Sequence, residues 1–391
     1  MAISGSPPQG PGTVFAYPFR VFFLSVAVWA LVAVLLWVPQ VTGLWQLPLA
    51  LDPFAWHRHE MLFGILSAAI AGFLLTAVCV WTGTERLHGW PLLALWLVWL
   101  SGRLVMLVGA SIPEVVVIGV NLLFFPLVML DAGRRIWQAR QKRHLIVLLA
   151  VGLIWVAQAA FFLMDGAAAV PGALVGAALL MLVIGGRITP GFSAGWLRMQ
   201  GGDPDRVRIL PWLERATLGS VLALFVLTLA GVDGIWILVA ALVAALASGA
   251  RLAAWRGWLV RREPLLWILH LSLLWIPVAF LLLAGAEAGW WPATVWYHAL
   301  GIGAMGGLIL GVISRVSLGH TGRRLVLPRG MVTAFVLVHT SALVRVVTAL
   351  GGLSWQVGVG LSALLWMLAF ALFLWRYTSI LIRPRLDGAP G

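Results

Sequence analysis

The sequence predicts an all-α polytopic membrane protein, a helical bundle of about twelve transmembrane helices with both termini in the cytoplasm. Three observations predict it. First, 62% of the 391 residues are hydrophobic and only 10% are charged, against roughly 25% charged in a soluble domain. Burial inside one protein core cannot hide that much apolar surface, so lipid must cover it. Second, apolar segments of about 20 residues, the length that crosses a hydrocarbon core, recur along the whole chain. Third, the basic residues fall almost entirely on one side of those segments.

Taken in order, the expected spans are 18–38, 59–80, 91–110, 114–131, 145–164, 169–188, 213–231, 235–254, 265–284, 294–313, 331–350 and 357–375. The first has no basic stretch before it, is too long for the apolar core of a signal peptide, and lacks a small-residue cleavage site before Gln40. It therefore reads as a span. The stretch Ser4–Thr13 is rich in Pro and Gly, so residues 1–16 are expected to form a disordered tail. Residues 17–378 read as a single transmembrane domain and 379–391 as a cytoplasmic tail. The largest expected loop is 187–212, broken by Gly201, Gly202 and Pro204. No internal repeat stands out.

Counting the loops that follow even-numbered spans, together with Arg20 and the C-terminal tail, gives 23 of the 26 basic residues on one face. The opposite face carries Asp52, Glu114, Asp165, Asp233 and Glu287. The positive-inside rule places the basic face in the cytoplasm. The net charge of +13 is then a consequence of topology, and no nucleic-acid partner is needed to explain it. The lipid bilayer is the expected partner.

Three basic residues stand apart. Arg58 lies at an outer helix end, where it can snorkel. Arg103 and Arg345 fall inside spans three and eleven, at a cost of roughly 2.5–3.5 kcal/mol on insertion scales. Each is expected either to reach the outer headgroups or to answer a buried anion, such as a haem propionate or a substrate.

The single cysteine, Cys79, excludes an intramolecular disulfide and an iron–sulfur cluster held by this chain. Without a C-x-x-C-H sequence, covalent c-type haem is excluded too. Chemistry falls to the histidines. His88 and His144 lie in loops and read as solvated. The cluster Trp56-His57-Arg58-His59-Glu60-Met61 sits at the outer mouth of span two. His57 and Glu60 share a face at a spacing of three, and two imidazoles beside a carboxylate suit a metal; the alternative is a polar interfacial cap. Tyr297-His298 opens span ten and leads into Gly303, Gly307 and Gly311, a stripe along which another backbone or a flat macrocycle can approach. The outer-cluster expectation joins His57, His59, Glu60 and His298 in one site. His270 in span nine and His339 in span eleven are candidates for b-type haem ligation from opposed helices, or for hydrogen bonds to a neighbouring helix. The stretch Ser314–Arg323, with His320 as a further candidate metal ligand, reads as a tight basic loop. It is suited either to phosphate or headgroups or to a sharp link between spans.

These blocks together resemble the NnrS family of bacterial inner-membrane proteins. Trp56-His57-Arg58-His59-Glu60-Met61-Leu62-Phe63-Gly64 is similar to the family's W-H-x-H-E-M-L-F-G block. Gly72-Phe73-Leu74-Leu75-Thr76-Ala77-Val78 followed by Trp81-Thr82-Gly83 resembles the next, with Cys79-Val80 in place of the usual Pro-Asn. Pro91-Leu92, Leu100-Ser101-Gly102-Arg103, Gly185-Gly186-Arg187 and the stretch from His298 to Arg323 follow in the family's order. The resemblance implies a twelve-span fold, haem and copper cofactors, and a role in tolerance of nitric oxide and nitrosative stress, often beside denitrification. Nitric oxide is the small neutral ligand it implies, and the electron donor is left open. Two other readings compete, a twelve-span secondary transporter and a redox or haem-handling subunit. Against the transporter, no acidic residue is expected in mid-membrane and no symmetric pair of broken helices appears.

Overall fold

The structure is a computed structural model that describes residues 12–164 and 166–388, apart from the side chain of residue 167. The described residues form helices and no strand. Twelve of these helices are long and apolar enough to cross a membrane. They group into two compact units. One comprises the described residues up to Trp155, Ile313–Met331 and those from Phe370 onward; the other comprises Val156–Val312 and Val332–Ala369. Most of the expected 1–16 tail and the end of the expected C-terminal tail lie outside the described residues, while Thr13–Ala16 forms a 3-10 turn.

In the first unit, span one (Pro18–Val41) packs against span two (Pro53–Thr82), and span four (Glu114–Gln138) packs on spans two and three (Gly89–Leu107). In the second unit, span nine (Pro264–Glu287) is the hub. It meets span eight (Ile235–Trp255), span six (Gly166–Met199) and the outer part of span ten (Thr294–His320). Spans two, six and ten are the most enclosed, with about four-fifths of their apolar windows buried, whereas spans three, four and seven (Pro211–Leu229) bury a third. The exposed faces of the latter carry Leu, Val and Trp, the surface a lipid phase covers.

Several spans outrun their expected ends. Span six was expected to stop at 188 but continues to Met199 through Pro190. A proline in a helix forfeits a backbone bond. Here Thr189 and Ser193 are fully or almost fully buried, so tertiary packing holds the helix where local propensity would end it. Span ten was expected to stop at 313 but runs to His320. Its serines are buried, and Ser317 donates to the Ile313 carbonyl at 2.6 Å, so a stretch that reads as polar loop is a helix with its hydroxyls satisfied internally. Span twelve runs Trp355–Ile382. Its last carbonyls have lost their helical donors, and the fully buried Arg20 replaces them, donating to Leu381 at 2.6 Å and Arg383 at 2.8 Å.

Span two starts earlier than expected. Asp52 caps it, accepting from the Phe54 and Ala55 amides at 2.9 and 3.1 Å, and Pro53 occupies the first turn. The helix widens to a π-turn over Glu60–Ile65, and span ten does the same over Ala299–Gly306. Such turns are frequent at functional sites. At positions 79–80, where the family's Pro-Asn would stand, the helix is uninterrupted and Cys79 donates back to Leu75 at 3.0 Å. His144 is not solvated as expected: it is buried and stacked on Trp81 at 4.4 Å.

Candidate functional site

In the first unit, a buried polar network is built around Glu60, whose side chain is fully enclosed. The helix is regular up to Glu60, whose amide bonds to the Trp56 carbonyl, and widens to a π-turn from there on. The structure pairs Glu60 with His59 rather than with His57, and the half-buried His57 stacks on Trp37 at 4.0 Å. His59 Nδ1 lies 2.8 Å from Glu60 Oε1. A carboxylate can only accept, so Nδ1 carries the proton and Nε2 the lone pair. Glu60 Oε2 accepts from the Trp29 indole at 2.7 Å and pairs with Arg103 Nε at 2.9 Å.

Arg103 is thus the partner of a buried anion, and that anion is Glu60. Its far end donates to Asn121 Oδ1 at 2.7 Å, and Asn121 in turn donates to the Val117 carbonyl at 2.9 Å. Trp99 lies beside the guanidinium and donates to the Gly64 carbonyl at 3.1 Å. Gly64 makes the room. A Cβ there would stand 2.6 Å from Glu60 Oε2 and 3.1 Å from both Arg103 Nη1 and Trp29 Nε1. The sequence reading missed Trp29, Gly64 and Asn121. A lone amide inside the apolar span four was the available signal for Asn121, and an indole in the middle of a span for Trp29. Glu60 itself lies about two turns inside a helix that begins at Pro53, so an acidic residue does sit within a span.

In the second unit, His298 donates from Nδ1 to the Thr294 carbonyl at 2.7 Å, which leaves its lone pair on Nε2. Arg345 Nη2 donates to that nitrogen at 3.0 Å. His270 and His339 have the opposite tautomer. Ser193 gives its only proton to the Thr189 carbonyl at 2.9 Å, so it accepts from His270 Nε2 at 2.9 Å. The Trp275 indole donates to His339 Nδ1 at 3.1 Å, which places the His339 proton on Nε2. That nitrogen is buried with no hydrogen-bond partner among the described residues, and it lies 3.3 Å from where a Cβ on Gly307 would stand. Each of these two rings is held by its own neighbour.

His298 stands in the first turns of span ten and His320 is its last residue, so one ion cannot take both at ligand bonds of about 2 Å. His320 packs against the rings of Tyr17 and Phe19 in the first unit. Of the expected outer cluster, His57, His59 and Glu60 belong to the first unit and His298 to the second. Among the described residues, no three His, Cys, Asp or Glu side chains converge as a metal site.

A family model described as NnrS protein matches residues 13–385, nearly the whole chain. No curated protein matches it.

Proposed function

The chain belongs to the NnrS family, and on that premise we propose that it holds b-type haem through His59 and acts in tolerance of nitric oxide and nitrosative stress in a bacterial inner membrane. The observation that carries this reading is the His59–Glu60 bond. Metal-ligating histidines commonly donate their second ring nitrogen to a carboxylate, which fixes the tautomer and raises the basicity of the ligating nitrogen. His59 has that arrangement within a buried, preorganised surrounding.

Both Glu60 oxygens are engaged by His59, Trp29 and Arg103. The carboxylate is therefore assigned to orienting His59 rather than to ligation, and Arg103 to holding Glu60. His298 has the right tautomer, but ligation there requires Arg345 to release Nε2; the freed guanidinium would then be a cation for a propionate. His270 and His339 carry their proton on Nε2 and are assigned to packing. Copper finds no comparable donor set among the described residues, and no ligand is assigned to it.

When bound, haem iron supplies a ligand site for nitric oxide. The protein's contribution is to hold one imidazole in a fixed tautomer and to keep water from it. Nitric oxide is neutral and dissolves in lipid, so it reaches a site inside the bilayer without a polar channel.

The test is haem per protein and the optical spectrum of purified His59→Ala, His298→Ala, His270→Ala and His339→Ala. His59→Ala should lose most of the haem, and the last two should retain it. Full haem with an unchanged spectrum in His59→Ala would overturn the reading.

A further inference from the structure

The basic stretch after span ten has no part in the site above, yet the first unit gathers further arginines around it. The rings of Tyr17 and Phe19 lie 5.9 and 5.6 Å from that of His320. Arg86 lies 5.2 Å from the Tyr17 ring and donates to the Ala16 carbonyl at 2.9 Å. Arg20 lies 5.4 Å from the Phe19 ring and caps the end of span twelve. Arg385 donates to the His320 carbonyl at 2.9 Å and pairs with Asp387 at 2.6 Å. Arg323 donates to the Thr321 carbonyl at 3.4 Å. Burial, and after it the nearby Arg383, lowers the Arg323 pKa.

The charge here is unbalanced. Segments 12–22, 83–88, 313–331 and 370–388 carry nine arginines and two acidic residues, Glu85 and Asp387. Glu85 is mostly exposed and faces His88 at 3.1 Å. The carbonyl oxygens that hold Arg86 and Arg323 are neutral, while Arg385 is paired with Asp387.

We propose that this cluster binds a phosphate-type anion, carried by the headgroup of an anionic phospholipid. Guanidinium forks match the paired oxygens of a phosphodiester, and basic pockets at the cytoplasmic ends of spans are suited to such headgroups. The choice of lipid over free phosphate rests on the neighbouring surface. Val80, near the end of span two, and Trp90, in the first turn of span three, flank the Arg86 loop in the chain and are 66% and 65% exposed, apolar surface of the kind acyl chains cover.

The experiment uses the full chain in detergent, with native mass spectrometry and thermal unfolding as readouts and phosphatidylglycerol, phosphatidylcholine and inorganic phosphate as probes. Arg86→Gln/Arg323→Gln is compared with Arg134→Gln/Arg140→Gln, which removes the same charge from exposed positions on the same face. Wild type and the second variant should retain bound phosphatidylglycerol, and the first should lose roughly tenfold or more in affinity, with partial recovery in Arg86→Lys/Arg323→Lys. Equal loss in both glutamine variants would reduce the effect to general surface charge and overturn the site, as would equal binding of phosphatidylcholine. If inorganic phosphate alone stabilises the chain as strongly as the lipid, the lipid assignment fails. Should the double variant not fold, Arg323→Gln alone carries the same comparison, because that side chain is partly exposed and donates to a carbonyl two residues away in its own loop.

Discussion

Oε1 of Glu60 lies 2.8 Å from Nδ1 of His59, and neither side chain reaches solvent. The other oxygen of Glu60 holds Arg103 at 2.9 Å, so ring, carboxylate and guanidinium form one chain of dependence. Removing Glu60 or Arg103 leaves the other's buried charge unpaired, which costs about 3–5 kcal/mol. Glu60→Gln and Arg103→Gln should each lower the thermal midpoint strongly, and the double variant should fall well short of the summed losses. Additive losses in a double-mutant cycle would show that the two residues do not act as a pair.

Gly64 should be intolerant of even one added methyl group. In Gly64→Ala the Cβ meets Glu60 Oε2 at 2.6 Å, and overpacking of this kind costs about 1–3 kcal/mol. Gly119, in span four, has nothing within 4 Å of its Cβ position, so Gly119→Ala should be neutral or stabilising by up to about 1 kcal/mol through helix propensity. Thermal unfolding of the two variants side by side checks this; the same midpoint in both would contradict the packing.

Trp275 should set the tautomer of His339. Its indole donates to Nδ1 at 3.1 Å. In Trp275→Phe that nitrogen is free to take the proton, and the ring should shift toward the Nδ1–H form. The 15N spectrum of histidine-labelled protein reports this directly, with His270, held by Ser193, as an internal reference. An unchanged His339 signal would mean that the indole does not fix the proton.

Topology follows from charge, and reporter fusions test it. A fusion at Gln141, in the basic turn after span four, should report the cytoplasm, and one at Gly289, after span nine, the opposite side. The same sidedness for both would break the alternation.

Much of the architecture was legible in the residues. Twelve apolar segments, their order and their basic flanks are properties of contiguous stretches, and hydropathy adds along a chain whatever its neighbours do. The motif around His59 was visible for the same reason. Boundaries were harder to read where polar residues are buried. Ser314 and Ser317 lie in span ten, and Thr189 and Ser193 in span six; from composition alone all four look like loop.

The sequence by itself determined the fold class, the number of spans and the family. Only the tertiary structure decided that Glu60 belongs with His59 and not His57, that Arg103 answers Glu60, and that His59 and His298 bear their lone pair on the opposite nitrogen from His270 and His339. The reason is physical. A ring's tautomer is set by the atom that faces it, and here that atom is Glu60, Thr294, Ser193 or Trp275. Trp275 reaches His339 from another helix 64 positions away in the chain, and His57 stacks on Trp37 of span one rather than bonding the Glu60 that shares its helical face.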